Sequence, residues 1–288
     1  IKMDFKELNN LYKKKINISD FLSRKTNLKE SDIINISYDL QSGTYIKAFN
    51  KKGDRKFEKF QNLIYMPIID KVNKNFPHAR SILDFGAGEL INTLYLIKRL
   101  KKIKNFFACD ISFNRLYLGK KFIENKLNKN KLKKLSIFCS SHRYLPFADS
   151  SIDIIITMHS LEPNRKGKNK LIRELYRVSQ YGLILFEPHY EIASKKQKKR
   201  MDKLKYIKGL EKTIKSLNCK YEIIPLDQNV NKLNCSSLFV LYKNNFSKKR
   251  GKYKTSYVDA QKSLLSKVDN FLYSKNNFKI YPILSEIP

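Results

Sequence analysis

Two short stretches carry the side chains best suited to move a proton. One follows an apolar run that ends at Met158 and contains His159 and Glu162; the other begins with Glu187 and contains His189. An imidazole titrates near neutral pH, so His159 is the predicted general base and the other three are alternates. A histidine at such a place could instead cap a helix or contact a ligand, and both interpretations stay open at this point.

A glycine turn lies upstream of these stretches. The segment from Ser81 to Glu89 reads Ser-Ile-Leu-Asp-Phe-Gly-Ala-Gly-Glu, which predicts a buried strand, a turn at Gly86, Ala87 and Gly88, and the start of a helix. The glycines lack the Cβ atoms that would hold a ligand away from the backbone, and a helix start offers unpaired N–H groups. The third glycine of the dinucleotide fingerprint is missing, which disfavours a phosphate cradle.

Two further blocks follow in order. The apolar run after the first helix ends in Asp110, about one strand-helix-strand unit beyond Asp84, where an acid can accept hydrogen bonds from both hydroxyls of a ribose. A Leu-Pro-Phe segment at residues 145–147 then precedes a run of isoleucines. With the glycine turn, these blocks make residues 81–243 resemble the class I methyltransferases that use S-adenosylmethionine.

The resemblance implies a role for each matched residue. The turn from Gly86 to Gly88, Ala87 included, would lie under the amino-acid end of S-adenosylmethionine, with Asp84 near its ammonium group. Asp110 would bind the ribose, and Ile111 would pack on the adenine. This implied set of residues makes S-adenosylmethionine the expected cofactor.

The adenine site departs from the family pattern. Many relatives carry an acid four residues before the Leu-Pro-Phe segment, and this chain has Ser141 there. The resemblance therefore implies that the adenine amine contacts the hydroxyl of Ser141 and the backbone of His142.

The alternation of strand and helix patterns predicts an α/β fold. We expect a Rossmann-like methyltransferase fold, a mainly parallel seven-stranded sheet with a terminal antiparallel strand. The predicted parts are an N-terminal helical lid, the methyltransferase domain and a small C-terminal α+β module, at residues 1–56, 57–247 and 248–288. In the lid, Tyr38, Gln41 and Tyr45 are candidate contacts to cofactor or acceptor, with a surface turn of packed tyrosines as the alternative. One long helical stretch is expected over residues 192–217.

The C-terminal tail shows a second resemblance. Its Tyr-Pro-Ile and Ile-Pro segments, between Ile280 and Pro288, are similar to the last strand of small zinc-ribbon-like proteins that activate tRNA, rRNA and protein methyltransferases. The positions at which zinc-binding relatives carry cysteines are here Val258, Gln261, Ser274 and Asn277. None of these is a thiolate ligand, so we expect no metal. The alternative is an irregular extension packed on the catalytic domain.

Charge and composition bound the possible partners. The formal net charge of +33 would attract RNA, DNA or acidic lipid surfaces, but the lysines are spread over every segment, so a general lysine bias is the competing explanation. The four cysteines form no C-x-x-C pair, which argues against a zinc site or a disulfide framework. No signal peptide, membrane span or lipidation motif is evident, and a cytoplasmic protein is the simplest expectation.

The acceptor is suggested by resemblance alone. A methyltransferase joined to such a tail, with the Gly88-Glu89 turn and a His-Ser-Leu-Glu-Pro-Asn segment, is similar to bacterial proteins encoded with surface-polysaccharide biosynthesis. This implies O-methylation of a small molecule, a sugar or an anionic sugar nucleotide. An RNA methyltransferase is the alternative that the charge and tail support, and a non-catalytic cofactor-binding protein is a third.

Overall fold

A seven-stranded sheet forms the centre of the protein. The computed structural model describes residues 4–141, 144–226, 235–243 and 257–288. The strands of the sheet are β1 (Ser81–Phe85), β2 (Asn105–Asp110), β3 (Leu135–Cys139), β4 (Ile152–Met158), β5 (Ser179–Pro188), β6 (Lys220–Pro225) and β7 (Ser236–Tyr242). Their order is β3-β2-β1-β4-β5-β7-β6. Pairing is parallel from β3 to β5, and β7 is antiparallel to both β5 and β6. The predicted Rossmann-like methyltransferase fold is therefore confirmed.

Alternating apolar side chains place a core on each face of the sheet. Ile82 and Ile154 pack on one face, while Leu83 and Ile155, their neighbours along the strands, pack on the other. The strands are buried on both faces, which is why the sequence shows apolar runs there. The strand order reverses between β1 and β4, and in open parallel sheets ligands bind at the carboxyl ends beside such a reversal.

Helices cover the two faces of the sheet. They are α1 (Phe5–Lys13), α2 (Ile18–Lys25), α3 (Glu30–Asp39), α4 (Thr44–Lys52), α5 (Asp54–Asn75), α6 (Ile91–Arg99), α7 (Phe113–Glu124), α8 (Lys129–Leu132), α9 (Lys168–Val178), α10 (Lys195–Lys203) and α11 (Leu210–Lys215). Helices α1 to α5 precede the sheet in the chain. The side chains of α5, α6 and α7 contribute to one core, and those of α9 and α11 to the other. The result is a three-layer α/β/α arrangement.

The prediction of one long helical stretch over residues 192–217 is wrong, because the region forms two helices. These two helices, α10 and α11, are separated by residues 204–209. Lys205 and Gly209 both have positive φ, 55° and 66°, a conformation that ends one helix and starts the next. Gly209 adopts it without the steric cost that a lysine incurs.

The C-terminal residues form a small sheet of their own. Strands β8 (Leu265–Val268), β9 (Phe271–Ser274) and β10 (Ile280–Pro282) pair in the antiparallel order β10-β9-β8. The carbonyl of Pro288 accepts a hydrogen bond from the amide of Cys139 at 2.7 Å, so the last residue meets the β3 edge of the large sheet. The predicted module boundary at residue 248 lies outside the described residues.

A buried aspartate organises this module. The carboxylate of Asp259 accepts hydrogen bonds from the amides of Gln261 and Ser263, both at 2.9 Å, from the hydroxyl of Ser274 and from Nδ2 of Asn277 at 3.0 Å. Three of the four positions aligned with zinc ligands in the resembling family thus surround one carboxylate.

Candidate active site

A cavity of about 800 Å³ lies at the carboxyl edge of the sheet. The ends of four neighbouring strands contribute Phe85, Asp110, Met158 and Phe186 to its wall. Helices α3, α4 and α5 close it from the N-terminal side. Because the strand ends converge here, residues distant in sequence share one wall, as the parallel topology requires.

The glycine turn forms one side of the cavity. Gly86 has φ 74° and Gly88 has φ 54°, backbone conformations that favour glycine. A Cβ on Gly86 would lie 2.2 Å from the Cβ of Ser160, and one on Gly88 would lie 2.3 Å from a guanidinium nitrogen of Arg115. The two glycines therefore let the segment after β4 and the start of α7 approach the turn. Ala87 also lines the cavity.

The turn and the end of β2 are joined through Asp110. Its Oδ2 accepts from the amide of Gly88 at 2.8 Å, and its Oδ1 accepts from the amide of Ser112 at 2.9 Å. Asp110 and Ile111 both line the cavity, side by side with the turn. A fixed carboxylate beside an apolar residue suits the ribose and adenine of S-adenosylmethionine, so these residues fit the expected cofactor.

Asp84 lies behind the turn, away from the cavity wall. Its carboxylate is buried and accepts from the hydroxyl of Thr93 in α6 at 2.6 Å. Burial raises the pKa of Asp84 to about 7, with the hydrogen bond from Thr93 opposing the rise and the charge of Asp110 adding to it. The observed contact ties β1 to α6.

Where the resemblance places the adenine, the cavity is lined by Ser140, the residue before the expected Ser141. Ser140 lines the cavity, whereas Ser141 is exposed and is not part of the wall. His142 lies outside the described residues. Cys139, at the end of β3, donates its thiol hydrogen to the carbonyl of Ile111 at 3.5 Å, which fixes the backbone beside this part of the cavity.

His159 lies in the cavity wall directly after β4. It has φ 57°, an uncommon backbone conformation for a residue other than glycine. Its Nδ1 hydrogen-bonds the carboxylate of Glu162, its Nε2 lies 3.1 Å from the hydroxyl of Ser236, and its ring packs on Phe186 with centroids 4.7 Å apart. Burial lowers the pKa of His159, but the charge and hydrogen bond of Glu162, helped by Glu187, outweigh it and raise the pKa overall.

The other two proton-transfer candidates lie outside the cavity wall. Glu187 is fully buried and accepts from the amides of Ser160 at 3.0 Å and Leu161 at 3.2 Å, so it fixes the segment that carries His159. Burial raises the pKa of Glu187 to about 7. His189 has Nδ1 2.8 Å from the hydroxyl of Ser237 and packs on Phe239, and burial lowers its pKa.

The N-terminal lid reaches the cavity through two tyrosines. Tyr38 and Tyr45 line the wall and place their rings 5.2 Å and 5.1 Å from the guanidinium carbon of Arg115. Gln41 is not on the wall; its Nε2 donates to the carbonyl of Ser37 at 3.1 Å. Burial raises the pKa of both tyrosines, so their hydroxyls stay protonated in the physiological range.

Two residues that the sequence analysis missed link the lid to the glycine turn. Glu89 accepts from the amide of Gly43 at 3.0 Å and from that of Ile46 at 2.7 Å, which fastens the N-terminus of α4. Arg115 lies 3.9 Å from carboxylate oxygens of both Glu89 and Asp110. A cation one turn into the helix after Asp110 is the sequence signal that could have identified Arg115.

Two buried polar atoms lie in the cavity wall near His159. The hydroxyl of Ser160 and Oδ1 of Asn164 have no hydrogen-bond partner among the residues that the structure describes. Arg200 and Tyr206 lie on the same wall, with the guanidinium carbon 5.8 Å from the tyrosine ring centroid. Buried polar atoms are normally paired, so the Ser160 hydroxyl and Oδ1 of Asn164 suit a polar ligand.

The described part of the chain contains neither a metal site nor a membrane-spanning helix. Within it, no group of three or more histidine, cysteine, aspartate or glutamate side chains could hold a metal ion. Within the same residues, no helix is both long enough and apolar enough to cross a bilayer.

Comparison with known proteins identifies the type of domain. Residues 83–186 match the family model described as a methyltransferase domain. No curated protein matches the sequence. Magnesium protoporphyrin IX methyltransferase from Synechocystis PCC 6803 with bound S-adenosylhomocysteine is similar in structure, with a TM-score of 0.57 and 11% identity over 75% of this chain and 100% of that one.

A second solved structure is of comparable similarity. It is the complex between the Haloferax volcanii Trm112 methyltransferase activator and a putative methyltransferase, with a TM-score of 0.51 and 11% identity over 67% of this chain and 95% of that one. At such low identities, both structures show the fold.

Proposed function

We propose that the chain, an S-adenosylmethionine-dependent methyltransferase, methylates a hydroxyl group on a small, sugar-containing acceptor. The proposal is supported above all by the pair of His159 and Glu162, which lies in the same cavity as the glycine turn. The two segments approach closely, because a Cβ on Gly86 would lie only 2.2 Å from the Cβ of Ser160. A base and a cofactor site in one cavity suit methyl transfer to an acceptor that must lose a proton.

Each residue has a distinct task in this mechanism. When bound, S-adenosylmethionine supplies an activated methyl group, so the protein has to hold the cofactor, align the acceptor and remove its proton. Asp110, Ile111 and the glycine turn would hold the cofactor. Glu162 keeps a proton on Nδ1 of His159, which leaves Nε2 free to accept one. The hydroxyl of Ser236 donates to Nε2 here and would give way to the acceptor hydroxyl.

The wall around His159 suits an acceptor rich in hydroxyl groups. Ser160 and Asn164 offer polar atoms that no described residue pairs with, and Arg200 adds a positive charge to the same wall. A net charge of +33 favours the approach of anionic molecules. Together with the resemblance to proteins of polysaccharide clusters, these features favour a sugar or related small molecule methylated in the cytoplasm during surface-glycan biosynthesis. The same charge makes RNA the second candidate acceptor.

Binding and transfer measured in parallel test the proposal. Calorimetric titration with S-adenosylhomocysteine should show binding that weakens at least tenfold in Asp110→Ala. His159→Ala should bind within a few-fold of the wild type but lose methyl transfer to sugar acceptors. Equal loss of binding in both variants would place His159 in the cofactor site, and no binding by the wild type would overturn the proposal. Transfer to RNA but not to sugars would select the second candidate.

A further inference from the structure

The cavity opens between helices α4 and α5. Among the residues that the structure describes, every exposed residue on the cavity wall belongs to these two helices: Tyr45, Ala48, Lys52, Phe60 and Leu63. Tyr45 is 52% exposed, Phe60 39% and Leu63 63%. Large apolar side chains therefore surround the entrance. Exposed apolar side chains are not needed to bind a water-soluble acceptor, so their presence here calls for another explanation.

Cations surround this apolar entrance. The exposed basic residues of α4 and the start of α5 are Lys47, Lys51, Lys52, Arg55, Lys56 and Lys59. The two acids in the same stretch are already paired, Asp54 with Lys126 at 2.9 Å and Glu58 with Arg99 at 2.8 Å. We call the exposed basic and apolar residues of 45–63 the α4–α5 face; it combines excess positive charge with exposed apolar side chains.

Helical spacing places both kinds of residue on the same side. Lys56 precedes Phe60 by four residues in α5, and Lys59 precedes Leu63 by four, so each lysine lies beside an apolar side chain. Inside the entrance the wall stays apolar, with Ile34, Phe57, Ile64 and Pro67. An apolar chain could therefore continue from the surface into the cavity.

We propose that the α4–α5 face docks on an anionic membrane surface, and that the acceptor is an amphiphile with a hydroxyl-bearing polar head and an apolar chain. The part about the acceptor rests on the proposed function. Lysines attract anionic lipid headgroups, while Phe60 and Leu63 enter the boundary of the acyl chains. The polar head then reaches His159, and the chain remains along the apolar wall.

The observations favour a membrane over RNA as the partner of this face. Single-stranded nucleic acids are bound by stacking bases on open aromatic rings. The ring of Phe60 is covered by Nζ of Lys52 at 4.4 Å from its centroid, and the ring of Tyr45 packs on Arg115. Leu63, the most exposed of the three apolar residues, cannot stack on a base.

Vesicle flotation tests the docking without any need for an acceptor. The full chain should float with vesicles of phosphatidylcholine and phosphatidylglycerol and not with phosphatidylcholine alone. Phe60→Ser combined with Leu63→Ser should lower the apparent affinity about tenfold at a salt concentration that screens charge. Lys56→Gln combined with Lys59→Gln should lower it about tenfold at low salt and weaken its salt dependence.

Two matched control pairs separate docking from general stickiness. Leu264→Ser with Phe278→Ser removes apolar groups that are more exposed than Phe60 and Leu63, and Lys195→Gln with Lys196→Gln removes two exposed charges from α10. Both should float like the wild type. Equal losses in the controls, or unchanged flotation of the Phe60 and Leu63 variant, would overturn the proposal.

Two further measurements distinguish the remaining outcomes. The variant with Phe60→Ser and Leu63→Ser could lose binding to a polyuridine oligonucleotide and still float like the wild type. That result would assign the face to RNA instead. S-adenosylhomocysteine titration of each variant should stay at the wild-type value, which shows that the variants are folded. His159→Ala should float normally, so failure of docking and failure of the proposed function give different results.

Discussion

His159 is held through both ring nitrogens, and the two contacts differ in chemical consequence. Nδ1 faces the carboxylate of Glu162, while Nε2 faces a hydroxyl that a ligand can replace. A carboxylate on one nitrogen selects the tautomer and stabilises the imidazolium that forms when the other nitrogen takes a proton. Glu162 is therefore a positioning residue that acts through His159.

Replacing Glu162 by glutamine should move the pH dependence of methyl transfer. His159 acts as a base in its neutral form, and its pKa lies above the ordinary value because Glu162 outweighs the effect of burial. Transfer by the wild type should thus rise through a pKa above about 6.5. In Glu162→Gln, burial prevails, the pKa falls, and the midpoint of kcat/KM should move to lower pH by about one unit or more.

The control for this measurement is Glu191→Gln, which changes the carboxylate 3.8 Å from His189 and lies outside the cavity wall. Its profile should match the wild type. A Glu162→Gln midpoint at the wild-type pH would contradict the role assigned to the pair.

At the level of elements, one carboxylate connects the lid to the glycine turn. Glu89 accepts from two amides at the start of α4, and a negative charge there also suits the positive end of the helix dipole. Arg115 continues the connection, because it lies near Glu89 and packs on the rings of Tyr38 and Tyr45. The position of the lid thus depends on the residue that follows the turn.

Glu89→Gln should loosen the lid while the sheet stays intact. The amide side chain keeps one acceptor oxygen but loses the charge and one of the two hydrogen bonds. We expect hydrogen exchange of residues 40–48 to become at least tenfold faster, a change of about 1.4 kcal/mol in local opening, measured by mass spectrometry. Exchange in β1 and β4 should not change.

A matched variant on the neighbouring helix is Glu58→Gln, which removes a carboxylate paired with Arg99 on the surface. It should leave exchange of residues 40–48 as in the wild type. Unaltered exchange in Glu89→Gln would show that the lid is fastened by packing alone.

Local patterns in the sequence predict the strands and the turn well, because each pattern reflects the burial and backbone conformation of the residues that form it. The apolar run of β4 and the glycines at 86 and 88 depend on burial and on backbone conformation, and residue types report both. Glu89 and Arg115 escaped prediction since their partners come from distant segments that meet only after folding. The break at Lys205 escaped for a related reason, as a lysine gives no signal of positive φ.

On the scale of the whole molecule, the C-terminal module and the large sheet share backbone contacts at the β3 edge. Besides the bond from Cys139 to Pro288, the amide of Val258 donates to the carbonyl of Pro146 at 3.0 Å. The hydroxyl of Tyr144 donates to the carbonyl of Asp259, the residue whose side chain organises the module. The internal order of the module therefore affects the edge next to Ser140, which lines the cavity.

Asp259→Asn should disorder the module and then the β3 edge. The carboxylate accepts hydrogen bonds from four donors. The hydrogen bond from Ser274, together with those from the amides of Ser263 and Gln261, holds the pKa of Asp259 below its usual range. An amide presents an NH₂ group to some of these donors, and an N–H facing an N–H cannot bond. Hydrogen exchange should accelerate at least tenfold over residues 257–288 and rise at Cys139, while β1 and β5 keep their protection.

The matched control is Asp269→Asn, which changes an exposed acid between β8 and β9 of the same module. It should behave as the wild type. Hydrogen bonds to Asp259 link Gln261, Ser274 and Asn277 without a metal, so a chelator such as EDTA should leave the exchange of the wild-type module unchanged. Loss of protection on chelation would show that a metal stabilises this module, and equal protection in Asp259→Asn would show that its strands hold together without the carboxylate.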